Sequence, residues 1–161
     1  MTIVTKKGDD GKTTLANKET VSKADARVKT YGKLDELVCF LGLARSLSKD
    51  KEISVSVKDI QHDLFTLGGE LAMSHKVKIG DQHLKNVEEL ILKYEPTIKV
   101  SGFTVPGDST PSAAMDVARA ICRHLERKIV SLKEAGKFSN DVALKYINRL
   151  SDLLYIFARM S

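Results

Sequence analysis

The chain has 161 residues, of which 42% are hydrophobic and 29% charged, and its 26 Lys and Arg against 21 Asp and Glu give a formal net charge of +5. That length suits one compact domain, 1–161, and that balance fills a core, which excludes a disordered chain. No apolar run is long enough to span a bilayer, so no membrane partner is expected; the acidic residues interleaved with the basic ones give no nucleic-acid signature.

The amino-terminal TKKGDDGKTT holds two glycines, three lysines and three threonines, the materials of a phosphate-binding loop. Only Asp9 and Asp10 separate Gly8 from Gly11, so it is not a Walker A motif. Read alone, such a segment is more commonly a disordered polar terminus than a nucleotide loop. It also turns polar too early for the apolar part of a secretory signal, which makes a cytoplasmic protein the expectation.

Five helices are expected next, and with them an all-α, antiparallel bundle. The first, about Asp25 to Arg45, repeats Val28, Tyr31, Leu34, Val38 and Leu41 at helical spacing. Asp35 falls on that side too. A carboxylate there either is partly desolvated and needs a cation, or sits at the edge of the stripe and reaches water. The second helix, about Ile53 to Met73, carries Val57, Ile60, Leu64, Leu67 and Leu71; the third follows Asp81 as a plausible cap and presents Leu84, Val87, Leu90, Ile91 and Tyr94.

All three prolines, Pro96, Pro106 and Pro111, lie between the third helix and the start of the fourth, where helix cannot persist. The fourth helix opens with Thr110 as cap and Pro111 at its first position, carries Ala114, Val117, Ile121, Leu125, Ile129 and Leu132, and stops at Gly136. Its opposite face groups Arg119, Arg123, Glu126 and Arg127. Clustered guanidinium groups suit phosphate oxygens, although a charged stripe opposite a core stripe is usually a solvated face. The fifth helix, about Asn140 to Met160, aligns Asn148, Asp152, Tyr155 and Arg159 opposite Leu150, Leu153 and Phe157. Polar stripes on two helices fit either solvent or a ligand seam between subunits.

His62, His75, His83 and His124 lack metal-ligand spacing, so no zinc or iron site is expected. Cys39 and Cys122 cannot form a disulfide framework; apolar neighbours suggest that both are reduced and buried.

Six blocks, TKKGDDGKTTL, RVKTYGKLDEL, DLFTLGGELA, FTVPGDST, ARAICRHLER and YINRLSDLLYIFAR, resemble in order and spacing the PduO-type ATP:cob(I)alamin adenosyltransferases. The resemblance implies a five-helix bundle forming a homotrimer, with ATP and a corrinoid bound between adjacent subunits. Residues 1–24 would be the nucleotide-binding segment and 25–161 the helical bundle. ATP, with Mg²⁺, would meet Thr5, Lys6, Lys7, Gly8, Thr13, Thr14 and Lys23, then Arg123, His124, Leu125, Glu126 and Arg127, and Asn148. Arg119 would pair with Asp35 across a subunit boundary, and Phe103 would close the lower face of the corrin ring. The implied reaction transfers the 5′-deoxyadenosyl group of ATP to Co(I) of cobalamin, served by a cob(II)alamin reductase. The alternative is a non-catalytic bundle that binds and delivers ATP or corrinoid. His124, Leu125 and Asp108 stand where the family pattern has arginine, alanine and glycine.

Overall fold

The computed structural model describes residues 3–99 and 102–161; Val100 and Ser101 of the proline-bounded loop, and the first two residues of the nucleotide-binding segment, lie outside them. A short hairpin, β1 (Lys12–Thr14) paired antiparallel with β2 (Thr20–Ser22), precedes α1 (Ala26–Leu47), α2 (Lys51–Leu71), α3 (Asp81–Tyr94), α4 (Thr110–Glu134) and α5 (Asp141–Met160), with one 3-10 turn at Glu95–Thr97.

Side-chain contacts fix the directions. Arg27 of α1 donates to the Leu71 carbonyl at the far end of α2, and Gln61 of α2 donates to Val38 O at 2.9 Å, so these helices are antiparallel. Glu52 of α2 accepts from Lys93 at 2.8 Å and from Tyr94 at 3.1 Å at the end of α3. The pair Lys133 and Asp141 ties the end of α4 to the start of α5, while Asp116 and Arg159 join their other ends. Helices α1, α3 and α5 therefore run one way, α2 and α4 the other. Leu37, Leu41, Leu64, Leu67, Leu125, Ile129, Tyr146, Leu153 and Phe157 are wholly enclosed between them.

Local chemistry starts and stops each helix. Asp50 accepts from the Glu52 and Ile53 amides, and Asn140 from those of Val142 and Ala143. Gly136 takes a left-handed φ of 67°, and the Lys137 amide reaches back to Leu132 O at 2.8 Å, ending α4 where a glycine is needed.

Several expectations are corrected. The amino-terminal segment is a built hairpin rather than a disordered tail, anchored by buried Leu15 and by the Ala16 amide donating to Ala72 O at 2.9 Å. Ser109, not Thr110, caps α4 by accepting from Ser112 N at 3.1 Å, and Gly80 rather than Asp81 precedes α3. Val117 is 42% exposed because the buried stripe of α4 runs through Ala114, Met115, Ala118 and Cys122. Cys39 is exposed, one position off the buried stripe of α1; Cys122 is buried as expected, its thiol pushed well up by burial.

Candidate functional site

The amino-terminal segment folds back on itself through successive turns. Asp9 N donates to Lys6 O at 3.3 Å, Gly11 N to Gly8 O at 3.2 Å and Lys23 N to Gly11 O at 2.9 Å. The Lys23 ammonium closes the turn by donating to Gly8 O at 2.7 Å. A Cβ at Gly8 would lie 2.8 Å from Lys23 Nζ, so the glycine permits that approach. The result is a hollow of about 490 Å³ lined by Thr5, Lys7, Gly8, Thr13, Thr14 and Lys23, with Lys12 added and Asp10 as its only carboxylate. Lys6, at φ 57°, shapes the turn without lining it. Three ammonium groups and several hydroxyls around one hollow make a site for a polyanion.

On α4 and α5 the expected polar residues separate into groups. Arg123 and Asn148 are exposed, and Asn148 Nδ2 donates to Glu126 Oε1 at 2.8 Å. Asp152 beside them has its carboxyl raised by burial, an effect opposed by Arg149 and Arg123. His124 lies toward α1; partial desolvation, then Lys33, Lys128 and Arg127, hold its imidazole below its usual value. Leu125 lies in the core, as its place on the apolar stripe of α4 leads one to expect, so its side chain faces away from the arginines.

Asp35 is exposed, which settles its alternatives in favour of water within one protomer, and among the described residues it has no ion pair. Arg119 bonds instead within its own helix, Nε to Asp116 Oδ1 at 2.8 Å. Asp116 is 5% exposed and is also held by Arg159 of α5. Sequence reasoning missed Asp116, although an acid one turn before Arg119 and beside the buried Met115 was a signal.

Phe103 is fully exposed and forms one wall of a cavity of about 730 Å³, completed by Ile98, Lys99, Val105, Asp108 and Arg159. Thr104 Oγ1 and the Tyr155 hydroxyl lie 3.1 Å apart, tying this loop to α5. The loop stands where α4 begins and α5 ends; the lysine hollow stands where α1 begins and α2 ends. The length of α4, about 37 Å for 25 residues, separates those ends.

A model of the cobalamin adenosyltransferase family matches residues 3–161. The chain belongs to that family. It is 35% identical to a corrinoid adenosyltransferase of Citrobacter freundii, over 98% of this chain and 93% of that protein. A cobalamin adenosyltransferase of Cupriavidus metallidurans is 33% identical, over 98% and 86%. The fold also superimposes on a PduO-type ATP:corrinoid adenosyltransferase variant from Lactobacillus reuteri complexed with cobalamin and ATP, with a TM-score of 0.91, 35% identity and coverage of 98% and 89%. The five-helix bundle and the family expected from the six sequence blocks are therefore both present. No helix among the described residues is long and apolar enough to cross a membrane.

Proposed function

We propose that this family member is a transferase that moves the 5′-deoxyadenosyl group of ATP to Co(I) of a corrinoid, releasing triphosphate. The observation that carries this reading is the pair of half-sites: a lysine-lined hollow at one end of the protomer and a Phe103-walled cavity of mixed polar and apolar lining at the other. One nucleotide cannot bridge the length of α4. A reaction between ATP and a corrinoid therefore draws on two copies of the chain, and a homotrimer supplies such seams between equivalent subunits.

Within that seam Lys7, Lys12 and Lys23 take the triphosphate, and Thr13 and Thr14 donate hydroxyls to it. Arg123, Arg127 and the Glu126–Asn148 pair approach from the neighbouring protomer. His124 adds a neutral imidazole at pH 7. Arg119 presents its two terminal nitrogens to Asp35 of a neighbouring protomer, the cation that exposed carboxylate lacks within its own chain. The residues present fit Mg²⁺ carried mainly by the nucleotide, since Asp10 alone offers a carboxylate in the hollow and no three-residue metal cluster exists among the described residues. Such an ion neutralises triphosphate charge.

Co(I) is the nucleophile: its electron pair forms the Co–C5′ bond as the C5′–O bond breaks, leaving formal Co(III) and free triphosphate. The lysines and arginines stabilise the departing charge, and no general base is required. Phe103 covers the lower corrin face without ligating cobalt, which excludes water and the displaced base and eases the preceding reduction by a reductase. The test is direct: purified protein, ATP, Mg²⁺ and chemically reduced cobalamin are expected to yield adenosylcobalamin. Absence of product, or binding of both substrates without turnover, defeats the assignment. Phe103→Ala is expected to lose more activity with base-on cobalamin than with cobinamide, which lacks a lower base; equal losses would refute the axial-face role.

A further inference from the structure

Asp116 has no part in the scheme above, yet it lies between Arg119 and the end of α5 that supports the Phe103 loop. Its side chain is 5% exposed, and each oxygen is held by a different guanidinium group: Oδ1 by Arg119 Nε at 2.8 Å, and Oδ2 by Arg159 Nη2. Arg159 is itself nine-tenths buried. Its Nη2 also lies 3.5 Å from Ser112 Oγ, whereas its Nε and Nη1 are buried with no partner.

A guanidinium buried with two unmet donors is costly, and a buried ion pair is often no more stabilising than apolar side chains of the same volume. Stability alone is therefore a poor reason for this arrangement. Orientation is a better one. Fixing Arg119 by Nε sets the plane of its guanidinium and leaves both terminal nitrogens without a hydrogen bond among the described residues.

The other end of the chain of contacts reaches the Phe103 loop. The Arg159 guanidinium carbon lies 5.3 Å from the centre of the Tyr155 ring, and the Tyr155 hydroxyl meets Thr104, the neighbour of Phe103. Thr104, Tyr155, Arg159, Asp116 and Arg119 thus form a continuous line from the cavity wall to the face of α4.

We propose that Asp116 is a positioning residue for adenosyl transfer: held by Arg159, it aims Arg119 across the subunit seam. The proposal rests on the function given above. A double-mutant cycle on kcat tests it, with thermal melting followed for every variant. Asp116→Asn is expected to lower kcat about tenfold when Arg119 is present and to cost nothing further in an Arg119→Ala background, with KM for ATP changed less than kcat. Losses that multiply in the double variant would show a role independent of Arg119 and overturn the proposal alone. A fully active Arg119→Ala would overturn both this proposal and the part given to Arg119 in the reaction. If Asp116→Asn does not fold, the same cycle with Arg159→Lys decides: a loss of about threefold confined to the Arg119-containing background supports the line of contacts, and equal losses in both backgrounds refute it.

Discussion

The two ends of the bundle use buried polar groups differently. Where α1 begins and α2 ends, polar side chains complete the backbone. Arg27 donates to the carbonyls of Leu71 and Lys137, and Asn140 donates to Glu70 and to Ile79 O at 2.8 Å while its own oxygen caps α5. Glu70 Oε2 in turn accepts from Ile79 N at 3.0 Å. At the other end, Arg159 keeps two buried nitrogens unpaired and Phe103 stands wholly in solvent. The first end closes the fold and gives the lysine hollow a rigid base. Residues at the second end are held in arrangements that the fold alone does not require, which is the mark of parts awaiting a substrate or a neighbouring copy.

Substitutions can break that contrast. The largest effect is expected from Arg119→Ala, with turnover reduced about 10²-fold or more and melting lowered only modestly, because one preorganised charged group is removed while Arg159 still holds the buried Asp116. Steady-state kinetics beside a thermal melt reads both, and an unchanged rate removes Arg119 from the mechanism. Asn140→Ala is expected to do the reverse: it loses a helix cap and leaves buried groups unmet, costing about 2–3 kcal/mol in denaturant unfolding while the folded fraction keeps its activity. A selective loss of activity without loss of stability would erase the distinction between the ends.

Lys23→Ala sharpens the account of the hollow. Removal of one charge-assisted donor is expected to raise KM for ATP about tenfold, with a smaller change in kcat. An unchanged KM would place the triphosphate elsewhere. The smallest effect concerns His124. Its imidazole is held below the usual histidine value by partial desolvation and by Lys33, Lys128 and Arg127, so it gains charge only as the pH falls through that lowered range. The folded protein resists that charge, so the stability contribution is lost on the acid side, whereas ATP affinity rises there about two- to threefold from added positive charge. His124→Gln is expected to abolish the rise, and an identical pH profile in both proteins would refute it.

The helices were legible in the sequence because each carries an apolar stripe at one spacing, and Pro96, Pro106 and Pro111 marked the connection between α3 and α4. The hairpin was not. Its strands are three residues each, and only Leu15 is driven inside, so no periodicity announced it. Cys39 misled because apolar neighbours in sequence do not share its direction on the helix. Leu125 was legible as core from its place on the apolar stripe of α4, whereas the motif that carries it is contiguous and so visits every side of the helix. Asp116 was hidden by distance, since its decisive partner, Arg159, lies 43 residues away on another helix. Lysines, hydroxyls and Gly8 were legible as phosphate-binding materials, but that they share one hollow follows only from the turns that Lys23 closes.

The central claim is that each site is assembled from the hollow of one protomer and the α4 arginines of another. Co-expression of two impaired variants carrying different affinity tags, one with Lys7→Ala and Lys23→Ala and the other with Arg119→Ala, assayed at an ATP concentration well below the raised KM, tests it most directly. Mixed oligomers isolated through both tags are expected to recover adenosyl transfer well above either variant alone, because some seams then pair an intact hollow with an intact Arg119. Activity no greater than that of the two variants measured separately would mean that each protomer builds its site from its own chain.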